Sequence, residues 1–400
     1  MNSRLLTFLI FISATCVSGC SQIIEKNPFA NQVAPEVLKP LKEIKTSQKV
    51  NKVWQINTGL ASGNNKINPF LESQTIYIAG SGAASALDAN TGALRWKTPI
   101  DEMITAGISG NAQSNPSATS AVTPNTSKVY LGTDNGNAIA LNAKTGKIEW
   151  IERLSSEILS VSPSKNGRVI FRTVDGKLHG LSSKTGELIW ERTQKSPSLI
   201  QLGAGVPIVV SNLVIAGFDN GKVAAYDLQT GQPVWETVVA LPTGISGTED
   251  IIDVDGKMKA LGNALFASSL NGGMVGINMQ SGKKAWSIAF SSPNGVDVNS
   301  KGLYSSDDKG VIWGIDPQTG DPRWTQDILQ GRHPSVPMIV NDSTLVVTDI
   351  EGNIHFINIT SAEFTARVKG DLSGYSVAPL VSGNNVYLFG KSGLLSKYSL

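Results

Sequence analysis

Cysteine is nearly missing from this chain of 400 residues: there are two, Cys16 and Cys20. Both fall within the first twenty positions, so everything that follows is excluded from internal disulfides and thiolate metal clusters. Histidine is as scarce, with His179, His333 and His355 far apart and without the spacing of a metal-binding or catalytic set. Charged residues make up only 16%, and 34 Lys and Arg stand against 32 Asp and Glu, which leaves a net charge of +2 and no basic field to hold nucleic acid. Beyond the N-terminus no apolar run approaches the roughly 20 residues a membrane-spanning helix needs. No Gly-x-Ser-x-Gly nucleophile elbow stands between a strand and a helix. What the chain does have is 40 Gly and 8 Trp, with 40% hydrophobic residues, enough for a packed core built from short strands and many turns.

Arg4 followed by the apolar run Leu5 to Val17 reads as a secretory signal peptide, being too short to span a bilayer. It ends in Val17-Ser18-Gly19-Cys20, which resembles the lipobox of bacterial lipoproteins. That resemblance implies cleavage after residue 19 and lipidation of Cys20, and Ser21 implies passage to the outer membrane. Residues 20–50 are polar, contain Pro28, Pro35 and Pro40, and predict a flexible tether; residues 51–400 are then the folded body.

The body repeats. Gly82, Gly136, Gly176, Gly221, Gly272 and Gly310 each open a unit in which a second Gly follows ten residues on and a Trp fourteen residues on. The tryptophans are Trp96, Trp150, Trp190, Trp235, Trp286 and Trp324, and the sixth position is Asp88, Asn142, Ser182, Asp227, Asn278 or Asp316. The first Gly suits the positive φ of a tight hairpin, and the Asp or Asn starts a second turn that Thr-Gly or Ser-Gly closes. The Trp, on the following strand, is large enough to fill the wedge between neighbouring sheets. The spacing of the units is that of four-stranded propeller blades. Two copies are degenerate: Gly352 is followed by Ala362 and Ala366, and Gly393 by the chain end at Leu400. The last blade lacks its Trp strand, whereas Lys52-Val53-Trp54-Gln55 is a Trp strand without a blade. The expectation is an all-β, eight-bladed β-propeller of four-stranded antiparallel blades, closed by the N-terminal strand.

The Thr-Gly-x-x-x-Trp units resemble the pyrroloquinoline quinone (PQQ) type propeller repeat, over about three quarters of the chain. Together with the lipobox, the tether and the closure, they resemble the propeller lipoproteins of the outer-membrane β-barrel assembly machinery. The resemblance implies a non-enzymatic scaffold without cofactor or metal, anchored in the outer membrane by lipid alone and facing the periplasm. It also implies binding to the periplasmic POTRA domains of the central barrel subunit, BamA, and aid to nascent outer-membrane proteins.

Two segments carry the family's partner-binding patterns. Where the family has Leu-x-Leu-Arg-Gly before a proline, this chain has Leu199, Ile200, Gln201, Leu202 and Gly203, so Gln201 stands for the second leucine and Leu202 for the arginine. The missing guanidinium implies apolar contact there, or a salt bridge moved elsewhere. The family's Asp-Val-Asp pattern matches Asp253, Val254 and Asp255. Read without the resemblance, those aspartates are turn formers or solvated charges, and Leu199 a core strand residue. The insertion from Met103 to Pro124 reads as a polar surface excursion. A PQQ-dependent dehydrogenase shares the repeat and remains the enzymatic alternative; a peptide- or glycan-binding periplasmic propeller is the third reading.

Overall fold

The computed structural model describes residues 38, 40–61, 67–111, 127–194, 205–240 and 252–400. Cys20, Leu199, Gln201 and Leu202 lie outside them. Among the described residues thirty-two strands form eight four-stranded sheets, all pairs antiparallel, and no helix forms. Blades 1 to 7 run in chain order over residues 70–99, 104–153, 158–193, 208–238, 259–289, 296–326 and 338–369. Blade 8 takes three strands from 380–399, and its outer strand is Asn51–Asn57, paired with Leu394–Ser399. The expected eight-bladed propeller and its N-terminal closure are both present.

Each sheet is a ribbon too narrow to enclose a core of its own, so the core lies between blades. The eight apolar clusters map onto the eight blade-to-blade seams: one joins Tyr77, Ala86 and Trp96 of blade 1 to Val129, Leu131 and Ile139 of blade 2. Another joins Tyr387 and Phe389 of blade 8 to Ile76 and Ile78 of blade 1. The repeat supplies the seam chemistry. Trp96, Trp150, Trp190, Trp235, Trp286 and Trp324 each donate the indole N–H to a backbone carbonyl of the next blade, on Ala143, Ser183, Leu228, Met279, Pro317 and Ile359, at 2.7–3.3 Å. Each acceptor is the residue just after the turn Asp, Asn or Ser. The Asx turns form as their residues predict; Asp227 Oδ1, for example, accepts the backbone N–H groups of Gln229 and Thr230.

Four features depart from the sequence reading. In blade 5 the left-handed conformation of the first turn falls on Asn271 (φ 52°) rather than Gly272. The excursion expected from Met103 begins instead with Ile104–Ser109, the innermost strand of blade 2. Residues 41–50, assigned to the tether by composition, run against the propeller. Leu41 and Ile44 pack at the seam of blades 6 and 7, Thr365 Oγ1 donates to Gln48 Oε1 at 2.8 Å, and Arg367 donates to the Lys42 carbonyl at 2.9 Å. Finally, the Ala366 that replaces a Trp in blade 7 faces Phe356, where other blades place Gly or Ala opposite the Trp. The volume has moved across the strand pair. Ala366 borders blade 8, which ends at Leu400 before the turn on which a Trp would dock, and Val50 and Leu400 cover that seam instead.

Candidate functional site

Asp253, Val254 and Asp255 are built into the ring. The segment crosses from blade 4 to blade 5, with Val254 fully buried in the apolar seam between them. Its backbone N–H donates to the Phe218 carbonyl at 3.3 Å, and the Asp253 carbonyl accepts from Leu270 at 3.2 Å. The segment lies so close to the strand Leu213–Gly217 that a Cβ on Gly217 would stand 2.1 Å from the Val254 oxygen. Only glycine leaves room for it. Neither carboxylate is a solvated charge: Asp253 is 2% exposed and the Asp255 side chain 9%.

The sequence reading passed over the group that accounts for this burial. Arg172, on the strand Arg168–Thr173 of blade 3, has a fully buried side chain. One guanidinium nitrogen lies 3.0 Å from Asp255 and another bonds Asp219, so blade 3 is tied to blade 4 and to the crossing segment by one cation. The guanidinium also lies over the Phe218 ring, 5.7 Å from its centroid. Burial pushes the Asp255 carboxyl up to about 6; Arg172 and the Gly205 backbone N–H pull it down, while Asp219 adds to the rise. A signal for Arg172 existed: it shares a strand face with Ile170 between two buried neighbours, a charged residue where the period-2 pattern demands an apolar one.

Carboxylate oxygens of Asp219, Asp253 and Asp255 lie within 4.8 Å of one another, the one grouping among the described residues with metal-ligand chemistry. Arg172 already occupies it as the counter-charge, bonded to two of the three carboxylates. A divalent ion would have to displace that guanidinium, so the donor set fits an internal salt bridge better than a metal.

A second buried network crosses blade 7. Arg332 Nε lies 2.9 Å from Asp349, whose carboxylate faces His355 Nε2 at 3.2 Å, and Arg367 Nε donates to His355 Nδ1 at 3.2 Å. Because Nδ1 accepts, the neutral imidazole carries its proton on Nε2 and donates it to Asp349. Burial lowers the histidine pKa and would raise that of Asp349, but hydrogen bonds from His355 and Asn353 hold the carboxyl well below the usual range. His179 and His355 are strand residues and His333 is exposed in the segment before the strand Met338–Asn341, the strand or surface positions that their isolation in the sequence suggested.

Residues at or leading into the innermost strand of every blade converge on a central cavity of about 510 Å³. Prolines recur in its lining, among them Pro69, Pro207, Pro334 and Pro379. Asp255 and Gly205 share its wall. Gly205, the first described residue after 195–204, bonds Asp255 through its backbone N–H, beside Arg172.

Residues 108–326 match the family model described as outer membrane protein assembly factor BamB. The outer membrane protein assembly factor BamB of Burkholderia pseudomallei (strain K96243) is 31% identical over 362 residues, covering 90% of this chain and 91% of that protein. A crystal structure of BamB from Moraxella catarrhalis superposes with a TM-score of 0.78 at 22% identity, covering 88% of this chain and all of that one. The propeller itself is shared more widely: a europium-containing methanol dehydrogenase superposes with a TM-score of 0.67 at 13% identity, over 88% of this chain and 93% of its own. At such identity only the fold is common. The family match across more than half of the chain, with the Burkholderia relative aligned over nearly its whole length, settles which of the proteins sharing this fold are its kin: the chain belongs to the outer membrane protein assembly factor BamB family.

Proposed function

We propose that this chain is a non-enzymatic scaffold subunit of the outer-membrane β-barrel assembly complex, and that it binds the periplasmic POTRA domains of BamA. The observation that carries the reading is the 31% identity to a protein named as an assembly factor, over 91% of that protein's length. In this reading Cys20 is the lipid anchor and residues 1–19 are the signal peptide. The propeller faces the periplasm, and nascent outer-membrane proteins pass close to it. Leu199 and Leu202 supply the apolar part of the docking surface and Gln201 a polar contact beside them, and Asp253 and Asp255 set its base. The arginine that the family pattern places in the first segment is Leu202 here, and Asp255 has its guanidinium from Arg172 instead. What supports the grouping is the meeting of Gly205 with Asp255. Co-purification of the full chain with the POTRA region of its own barrel subunit tests the proposal. Retention of the POTRA region by the unaltered chain, and its loss with Leu199→Asp, is the expected result; a chain that never retains it overturns the reading.

A further inference from the structure

Lys257 enters the central cavity from the segment that links blades 4 and 5. Its backbone is fixed on both sides: its N–H donates to the Asn294 carbonyl at 3.1 Å, and its own carbonyl accepts from Val296 at 2.8 Å. The side chain reaches blade 7, where Nζ lies 3.1 Å from the Met338 sulfur. A thioether is a weak acceptor for an ammonium group. Among the described residues no carboxylate forms an ion pair with Lys257, although it is recessed in the cavity wall.

The other charges around the cavity are already matched. Asp255 is bonded to Arg172, Asp349 to Arg332 and His355, and Asp297 lies 3.5 Å from Lys259 and accepts the Ile339 backbone N–H. His333 borders the cavity and is exposed. The rest of the wall is largely apolar, with Phe70, Ile108, Val206, Val336, Met338 and Val377 distributed around the axis. At about 510 Å³ the cavity falls within the range of roughly 300–1,000 Å³ that small-molecule sites occupy. Lys257 feels Asp297 only beyond ion-pair distance, and a cation so placed in a largely apolar chamber is complementary to one negative charge on an apolar body. A second negative charge on the ligand would face the carboxylates Asp255 and Asp349, which line the same cavity.

We propose that the central cavity is a binding site for a monocarboxylate carried on an apolar body, with Lys257 as the group that pairs with the carboxylate. Burial, opposed by Asp297 and aided by Lys259, pushes the Lys257 amine down to about 8, and a bound carboxylate would raise it again, so binding near pH 8 takes up a proton. Two sources share this chemistry, a fatty acid and the free C-terminus of an apolar peptide.

Calorimetric titration of the full chain tests the site with four probes: decanoate, decanol, an apolar tetrapeptide with a free C-terminus, and the same peptide amidated. At least one acid is expected to bind on the order of tenfold or more tightly than its neutral counterpart. Lys257→Met should abolish that preference, and the heat at pH 8 should vary with the ionisation enthalpy of the buffer as proton uptake requires. Which acid binds identifies the source. Absence of binding by both acids, equal binding of acid and neutral forms, or an unchanged preference in Lys257→Met overturns the proposal. If that variant does not fold, modification of Lys257 in the unaltered protein by an amine-reactive reagent replaces it. Decanoate or the free-acid peptide should slow the modification while its neutral counterpart does not, and equal rates with and without either acid overturn the proposal.

Discussion

Trp96 of blade 1 lies on Gly146 of blade 2, so closely that a Cβ on Gly146 would stand 2.7 Å from the indole ring. The same contact recurs with Trp150 on Gly186, Trp190 on Gly231, Trp235 on Gly282 and Trp286 on Gly320. Trp54, from the N-terminal strand, lies against Gly92 and continues it across the closure of the ring. The second glycine of the repeat therefore answers to two constraints at once, a left-handed backbone and a neighbour's aromatic face.

These constraints separate in blade 7, where Ala362 adopts φ 59° at the equivalent position. Gly146→Ala is expected to cost about 2 kcal/mol or more, since overpacking adds to backbone strain. Ala362→Gly should change stability by less than about 1 kcal/mol, because strain relief is offset by the entropy of the freer unfolded chain. Denaturant midpoints of the two variants check this, and equal losses would contradict it.

Asp255 gives a pH signature. Its folded pKa of about 6 lies above its ordinary value of 3.8, so the folded state binds this proton more tightly than the unfolded one. The contribution of this group to stability is fully present below the unfolded value and is lost as pH rises from about 4 through about 6. Relative to Asp255→Asn, which cannot titrate, the unaltered chain should lose on the order of 2 kcal/mol over that window. Unfolding curves of both proteins at pH 4 and pH 7 measure the difference.

Arg172→Leu leaves Asp219 and Asp255 buried without their shared cation. A loss of about 3–5 kcal/mol is expected. Arg172→Lys should recover only part of it, since a single ammonium cannot reproduce the fork that bonds both carboxylates. Thermal melts of the pair of variants decide whether geometry matters beyond charge.

For partner binding, Leu199→Asp should weaken retention of the POTRA region with no fall in melting temperature. Asp253→Arg is not a clean surface probe: Asp253 is 2% exposed, and a buried guanidinium there should lower the melting temperature together with any binding. Surface plasmon resonance and thermal melts on the same preparations separate the two effects. A Leu199→Asp chain with unchanged affinity would remove that segment from the interface.

Addition of PQQ with Ca²⁺ to the purified chain should produce no stoichiometric quinone spectral shift. Absorbance titration measures it. A saturating one-to-one shift would revive the dehydrogenase reading despite the family match.

The ring was legible in the chain because each blade repeats the same local chemistry: Asp227 with Thr230 writes a turn, and Gly180 opposite Trp190 writes a strand pair with room for an indole. Even the ends could be matched, since Trp54 had no blade and Tyr398 no Trp strand. Arg172 and Lys257 were not legible in the same way. Both act through residues of other blades, Arg172 through Asp219 and Asp255, Lys257 through Met338 in blade 7, and no spacing in the sequence encodes those distances. Likewise Lys42 to Gln48 looked like linker because their partners, Arg367 and Thr365, stand more than 300 positions away. Proline composition gave no hint of that contact.

Closure by Asn51–Asn57 on Leu394–Ser399 also orders events in time. Asn51–Asn57 finds its partner only when Leu394–Ser399 has been synthesised. Thr58 bonds Gly393 across 335 positions, a contact that no partial chain can make. Until then both edges of the growing ring are bare, and a chain broken before Leu394 cannot hide them. The seam thus acts as a check on synthesis: only a chain extended through Ser399 becomes a closed body, and shorter ones are left as substrates for chaperones and proteases.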